Sequence, residues 1–114
     1  MRPYSIKNEQ TARFCKALGH PARIQILQFL ASRDDCYFGD IHEDLPIAKT
    51  TVSQHLKELK DAGLIQGTIE PPKVRYCINR ENWRYAQELI QALFGMPLYG
   101  SECTCESSSS SLSL

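Results

Sequence analysis

Ala48-Lys49-Thr50-Thr51-Val52-Ser53-Gln54-His55-Leu56-Lys57-Glu58-Leu59-Lys60-Asp61-Ala62 is the stretch on which the fold turns. Val52, Leu56 and Leu59 recur at i, i+4 and i+7, the spacing of one face of an α-helix. Thr50, Gln54 and Lys57 repeat the same spacing on the opposite face, which carries short hydrogen-bonding groups, one cation and no large apolar residue. A helix built this way suits the DNA major groove, where side chains must reach base edges and phosphates. An ordinary amphipathic surface helix has the same periodicity, so the flanks decide between the two.

Upstream, Phe38 to Asp44 reads as a short helix with Phe38, Ile41 and Leu45 as its buried set, and Pro46 closes it. The polar helix starts about two residues later. Two helices joined by so short a turn, the second polar on its outside, predict a helix-turn-helix. Downstream, Gly63 fits the left-handed residue that ends a helix. Leu64 to Ile69 and Val74 to Ile78 then read as strands, with Val74, Tyr76 and Ile78 alternating against Arg75 and Cys77. Glu70-Pro71-Pro72-Lys73 joins them, and its prolines stiffen the tip. A helix-turn-helix followed by a β-hairpin is a winged helix. Its wing would carry Lys73 and Arg75 to the phosphate backbone, against the plainer reading of a solvated hairpin face. The candidate DNA contacts are therefore Lys49, Thr50, Thr51, Ser53, Gln54, His55 and Lys57 on the helix, with Lys73 and Arg75 on the wing. His55 flanks the buried stripe, so it either supports the fold or touches a phosphate.

Further outward, residues 1–7 read as an arm, and Phe14, Ala17 and Leu18 give a first helix from Asn8 that Gly19 ends. Pro21 suits the first turn of a second helix, whose Ile24, Ile26, Leu27, Phe29 and Leu30 make it the core helix. Asn79 is a natural N-cap for a last helix, in which Trp83, Ala86, Ile90 and Leu93 form a stripe with Tyr85 and Leu89 alongside. That is more apolar surface than the end of a 114-residue chain easily hides, so the first and last helices are expected to form a dimer surface. Intramolecular packing is the alternative. From Gly95 the composition shifts to Gly, Pro and the serine run 107–111, a flexible tail holding Cys103-Thr104-Cys105. The expected architecture is mainly α with a small β-hairpin. Residues 1–94 would form a winged-helix DNA-binding and dimerisation domain, and residues 95–114 a Cys/Ser-rich tail.

Composition narrows the function classes. A hydrophobic fraction of 42% and the lack of a membrane-length apolar run or a signal-peptide core predict a soluble, cytoplasmic protein without membrane contact. In that compartment five cysteines read as thiols or metal ligands before disulfides. The net charge is zero, yet residues 45–80 hold six cations against three anions, a net of +3, after an acidic run at 34–44. A neutral chain with a basic middle can set one positive face on a duplex. An enzyme is not expected: there is no nucleophile elbow, phosphate loop or Cys-x-x-Cys pair, and His20, His42 and His55 are scattered.

Ala17-Leu18-Gly19-His20-Pro21-Ala22-Arg23, the run Thr51 to Lys60, Ala62-Gly63-Leu64-Ile65 and the hairpin ending Arg75-Tyr76-Cys77-Ile78 together resemble the ArsR/SmtB family of metal-responsive winged-helix repressors. The resemblance spans Phe14 to Ile78. It implies a homodimer that grips an inverted-repeat double-stranded operator and leaves it when a ligand binds. Relatives commonly have serine where this chain has Ala48, so Thr50 is expected to cap one turn later.

The resemblance also implies effector sites, of which this chain keeps only part. The zinc site on the last helix needs Asp and His, and residues 80–94 contain neither. The arsenic, lead and cadmium site uses a Cys-x-Cys pair. Cys36 remains of it here, and Phe38 stands where the second thiol would be. Cys103 and Cys105 supply what is missing if the tail reaches Cys36, in the same chain or across the dimer. Three thiolates suit a thiophile such as arsenite or antimonite, or a soft ion such as cadmium or lead, acting as inducer with no resident cofactor required. Unrelated tail thiols beside one packed Cys36 are the bland alternative. Cys15 in the first helix is a reserve ligand, and Cys77 reads as structural. Two other functions stay open: the same repressor switched by thiol oxidation, and a thiol metal carrier or interaction module that does not bind DNA.

Overall fold

The computed structural model describes residues 3–39, 41, 45–70 and 73–100, with side chains described for all of these except 69, 70, 73 and 74. The elements run α1 (Ile6–Ala17), α2 (Pro21–Ala31), β1 (Tyr37–Phe38), α3 (Lys49–Asp61), β2 (Ile65–Glu70), β3 (Lys73–Ile78) and α4 (Arg80–Phe94). The three strands form one antiparallel sheet in the order β1-β3-β2. This is a winged helix-turn-helix.

Local chemistry sets most of the helix ends. Ser5 accepts a hydrogen bond from the Asn8 amide, so α1 starts two residues before the expected position and takes in part of the presumed arm. The His20 ring caps α2 by accepting from the Ala22 amide at 3.0 Å, ahead of Pro21 in the first turn. Asn79 caps α4, accepting from the Asn82 amide at 3.1 Å. Ala48 provides no side-chain cap for α3, and Thr50 does not replace it. The Thr51 hydroxyl instead donates to the Ala48 carbonyl at 2.9 Å.

The sheet corrects only the start of the helix expected over 38–44: Ile41 is helical and its carbonyl accepts from the Leu45 amide at 3.0 Å. Tyr37 and Phe38 are strand residues in register with Tyr76 and Arg75. Their burial alternates: Tyr37 faces the core and Phe38 is 68% exposed. The aromatic pair follows the strand period of two, which the helical reading averaged away. Ile41 is buried and Leu45 packs against the core as expected, while residues 40 and 42–44 lie outside the described set. Ile24, assigned to the core, is exposed on α2.

The core joins every layer. Ile26, Leu27 and Leu30 of α2 meet Val52, Leu56 and Leu59 of α3, Leu64 and Ile65, Tyr37 and Tyr76 of the sheet, and Ala86 and Leu89 of α4. Burying each large aliphatic side chain contributes roughly 1.5–3 kcal/mol. α1 meets α4 through the edge-on rings of Phe14 and Tyr85 and through a hydrogen bond from the Tyr85 hydroxyl to Gln10 Oε1. Beyond this contact Leu93, Phe94 and Met96 stay exposed. A groove between the two helices is lined by Thr11, Ala12, Cys15, Leu89, Leu93 and Met96 among others.

Candidate nucleic-acid interface and its neighbouring dithiol

α3 is the candidate interface helix because its two faces part cleanly. Val52, Leu56 and Leu59 are buried, so Lys49, Thr50, Thr51, Ser53, Gln54 and Lys57 are turned to solvent. A continuous outer face of hydroxyls, one amide and two ammonium groups offers donors and acceptors for base edges and phosphates. Gln54 is the side chain in this set able to form a bidentate pair with adenine. Gln54→Ala is expected to cut discrimination at one base position by about 1–3 kcal/mol while leaving non-specific affinity nearly unchanged, read by binding to a set of single-base operator variants.

His55 lies on the fold side of the alternative left open by the sequence. It is 8% exposed, and its Nδ1 accepts from Arg23 Nε at 3.0 Å. Arg23 also reaches the Lys16 and Ala17 carbonyls at the end of α1, each at 3.4 Å, and the His20 ring lies 4.4 Å from the His55 ring. One guanidinium thus ties α1, α2 and α3 together. The sequence reading missed Arg23 because nothing in its spacing marks a contact 32 residues away. Burial, then the charges of His20 and Arg23, push the His55 pKa below its ordinary 6.5. The sign of the linkage follows. Above pH 6.5 His55 is neutral both folded and unfolded, and its share of stability is fully present. As pH falls below that value the unfolded chain takes up the proton first, so stability declines until the folded form also titrates. Melting temperature is expected to drop between pH 7 and pH 5, and His55→Gln should flatten that part of the profile.

The far end of α3 is held as firmly. Gly63 takes φ +86°, and the Asn82 side-chain amide donates to the Gly63 carbonyl at 2.9 Å. Asn79 N–H donates to the Leu64 carbonyl at 3.0 Å. The N-terminus of α4 is therefore bonded to the C-terminal turn of α3, so a shift of α4 is transmitted to the polar helix.

The wing follows as β2 and β3, paired from Ile65 with Ile78 through Glu70 with Lys73. Each strand starts within one residue of its expected position. Arg75 is exposed on β3, stacks its guanidinium 5.8 Å from the Phe38 ring centroid and donates from Nη2 to Cys36 Sγ at 3.5 Å. Lys73 opens β3 beside the tip at residues 71–72, which lie outside the described set.

The described thiols have an unexpected partner. Cys36 is joined by a disulfide to Cys77, with the two Cα atoms 4.5 Å apart. The pair extends the β1–β3 ladder by one step beyond Tyr37 and Tyr76. Reading Phe38 as the start of a helix hid that alignment. Cys15 is exposed and unpaired, in the α1–α4 groove. Cys103 and Cys105 lie outside the described residues. Among the described residues no three His, Cys, Asp or Glu side chains gather into a metal-binding group.

A polar helix packed through its apolar face onto the core, with a β-hairpin beside it, defines a DNA-binding transcriptional regulator rather than an enzyme. Residues 20–66 match the family described as bacterial regulatory protein, arsR family. The chain is 32% identical over 92 residues to the HTH-type transcriptional regulator CmtR of Mycobacterium bovis, covering 80% of this chain and 77% of that one. It is 34% identical over 70 residues to a probable mercury resistance operon repressor of Streptomyces lividans, covering 61% and 55% respectively. A homodimeric winged helix-turn-helix DNA-binding domain from Mycobacterium bovis superposes with a TM-score of 0.56 at 26% identity, covering 92% of this chain and all of that one. The chain belongs to the ArsR family of transcriptional regulators. No helix among the described residues is long and apolar enough to cross a membrane.

Proposed function

We propose that the chain is a cytoplasmic repressor that binds an inverted-repeat operator as a homodimer and is released by a thiophilic inducer, arsenite foremost, held by Cys36, Cys103 and Cys105. The observation that carries the DNA half is the exposed face of Thr50, Ser53, Gln54 and Lys57, presented by a helix whose other face is buried. The uncapped first turn of α3 adds backbone N–H groups for a phosphate, and Lys73 and Arg75 would add wing contacts. Support for a dimer comes from the apolar residues Leu93, Phe94 and Met96 left exposed beside the α1–α4 groove, and from the homodimeric relative. Support for a soft inducer comes from the relative described as a mercury resistance operon repressor and from the thiols of this chain.

Chemistry defines what the inducer needs. Three thiolates bind a trigonal thiophile, so the Cys36–Cys77 bond must first be reduced to release the Cys36 sulfur. The ligand acts by favouring a dimer geometry with wrongly spaced recognition helices, and the Asn82–Gly63 bond is the route from α4 to α3. The test is arsenite titration of the operator complex with reduced protein, in wild type and Cys36→Ser. Release of the wild type alone supports the site, and equal release of both removes Cys36 from it. Lys73→Ala should weaken binding to all duplexes alike and lower the salt slope by about one.

A further inference from the structure

We propose that Cys36 and Cys77 form a reversible dithiol that reacts with anionic low-molecular-weight disulfides and, once oxidised, withholds Cys36 from the inducer. The gating half of this proposal rests on the operator-release reading above; the dithiol itself does not.

Three observations meet at this pair. First, the sheet register sets the two cysteines directly opposite each other, with Cα atoms 4.5 Å apart, so the bond forms and opens without moving a strand. Second, the pair sits at a cleft of about 210 Å³ between α2, β3 and α4, open to a small reagent. Third, the cleft is rimmed by Arg33, Arg80 and Arg84, and Arg75 donates to Cys36 Sγ. Asp34 and Asp35 also line it, so the three guanidiniums of the cleft exceed its carboxylates by one, and Arg75 adds a further cation at the sulfur. A guanidinium beside the sulfur favours the thiolate, the attacking form. The surrounding positive field draws carboxylate-bearing reagents and repels amine-bearing ones. A disulfide in a reducing compartment is of the transient, sensing kind rather than a structural staple.

The exchange balances without further reactants. The Cys36 thiolate attacks one sulfur of the small disulfide, breaking its S–S bond and expelling one small thiolate, which takes up a proton. The Cys77 thiolate then attacks Cys36 Sγ in the mixed disulfide and expels the second small thiol. Two protein thiols become one disulfide, and one small disulfide is reduced to two thiols. The reverse exchange restores Cys36.

The test uses the full chain, reduced and freed of reductant, with glutathione disulfide as the anionic probe and cystamine as the cationic one. After quenching and alkylation, peptide mass spectrometry follows the Cys36–Cys77 linkage. The linkage is expected to form about tenfold faster with glutathione disulfide, to slow in Arg84→Ala, and to reverse with dithiothreitol. Pairing of Cys36 with another cysteine, persistence of both thiols, or an equal or faster reaction with cystamine overturns the proposal. The second arm titrates the operator complex with arsenite. Oxidised wild type is expected to lose the response and to regain it once reduced and freed of reductant, and reduced Cys77→Ser to respond as reduced wild type does. A response in wild type that carries the Cys36–Cys77 linkage, or no recovery on reduction, overturns the gate. If reduced wild type is not released at all, the operator-release reading fails, while the linkage measurement still decides the dithiol.

Discussion

Leu59→Ala is expected to remove a large share of the folded chain's stability. Leu59 is fully buried where α2, α3 and the sheet meet, and it is one of the largest side chains so enclosed, with Ile26, Ile41 and Ile65. Truncating a leucine in such a place removes its transfer free energy and leaves a cavity, at a cost of about 3–5 kcal/mol. A domain of this size is typically stable by about 5–15 kcal/mol, so the loss takes a large share of the total. With a urea slope of roughly 1–1.5 kcal/mol/M, the midpoint should fall by about 2–5 M. Lys57→Ala, on the exposed face two residues earlier, should change stability by no more than about 0.5 kcal/mol. Both variants should be compared at one protein concentration, because association stabilises the folded chain by mass action. A similar small cost in the two variants would mean that α3 does not pack through the face described.

The second large effect is at Gly67. It sits in β2 opposite Tyr76 with φ +154°, and a Cβ there would run into the Arg75 carbonyl on the paired strand. The obstruction is backbone, so no rotamer relieves it, and the β2–β3 ladder must open. Gly67→Val is expected to cost roughly 3 kcal/mol and to weaken operator and non-specific DNA binding together through the displaced wing. Gly63→Ala is the milder comparison. Its φ of +86° is strained for alanine, but the atom in the way is the end of the Asn82 side chain, which can swing aside. A cost of about 1 kcal/mol is expected there. Thermal unfolding and fluorescence titration of a labelled duplex read both effects.

These two positions also mark what the sequence made legible. The stripe of Val52, Leu56 and Leu59 announced both the burial and the outward face of α3, because a helix folds its period of 3.6 into one side. Gly63, Asn79 and the alternation at Tyr76 were legible for the same reason: each is a local rule satisfied by adjacent residues. Gly67 was not. Its requirement comes from a strand that lies eight residues away in the chain but against it in space. β1 was lost because two residues carry too little periodicity of their own, and the second of them was read as the first residue of a helix. That single misreading also hid the alignment of Cys36 with Cys77 and the placing of Arg75 beside Cys36. Arg23 and His55 show the same limit, a contact of long sequence separation between residue types that are individually unremarkable.

In the proposed complex, two copies of this chain set a matched pair of α3 helices into successive turns of the major groove. The most direct measurement is selection of duplexes from a random pool by the full, reduced chain, followed by stoichiometry on the enriched sequence. The expected result is an inverted repeat with half-sites centred about 10 base pairs apart, two chains per duplex, and loss of one base preference in each half-site for Gln54→Ala. An enriched site without two-fold symmetry, a single bound chain, or no enrichment at all would contradict it.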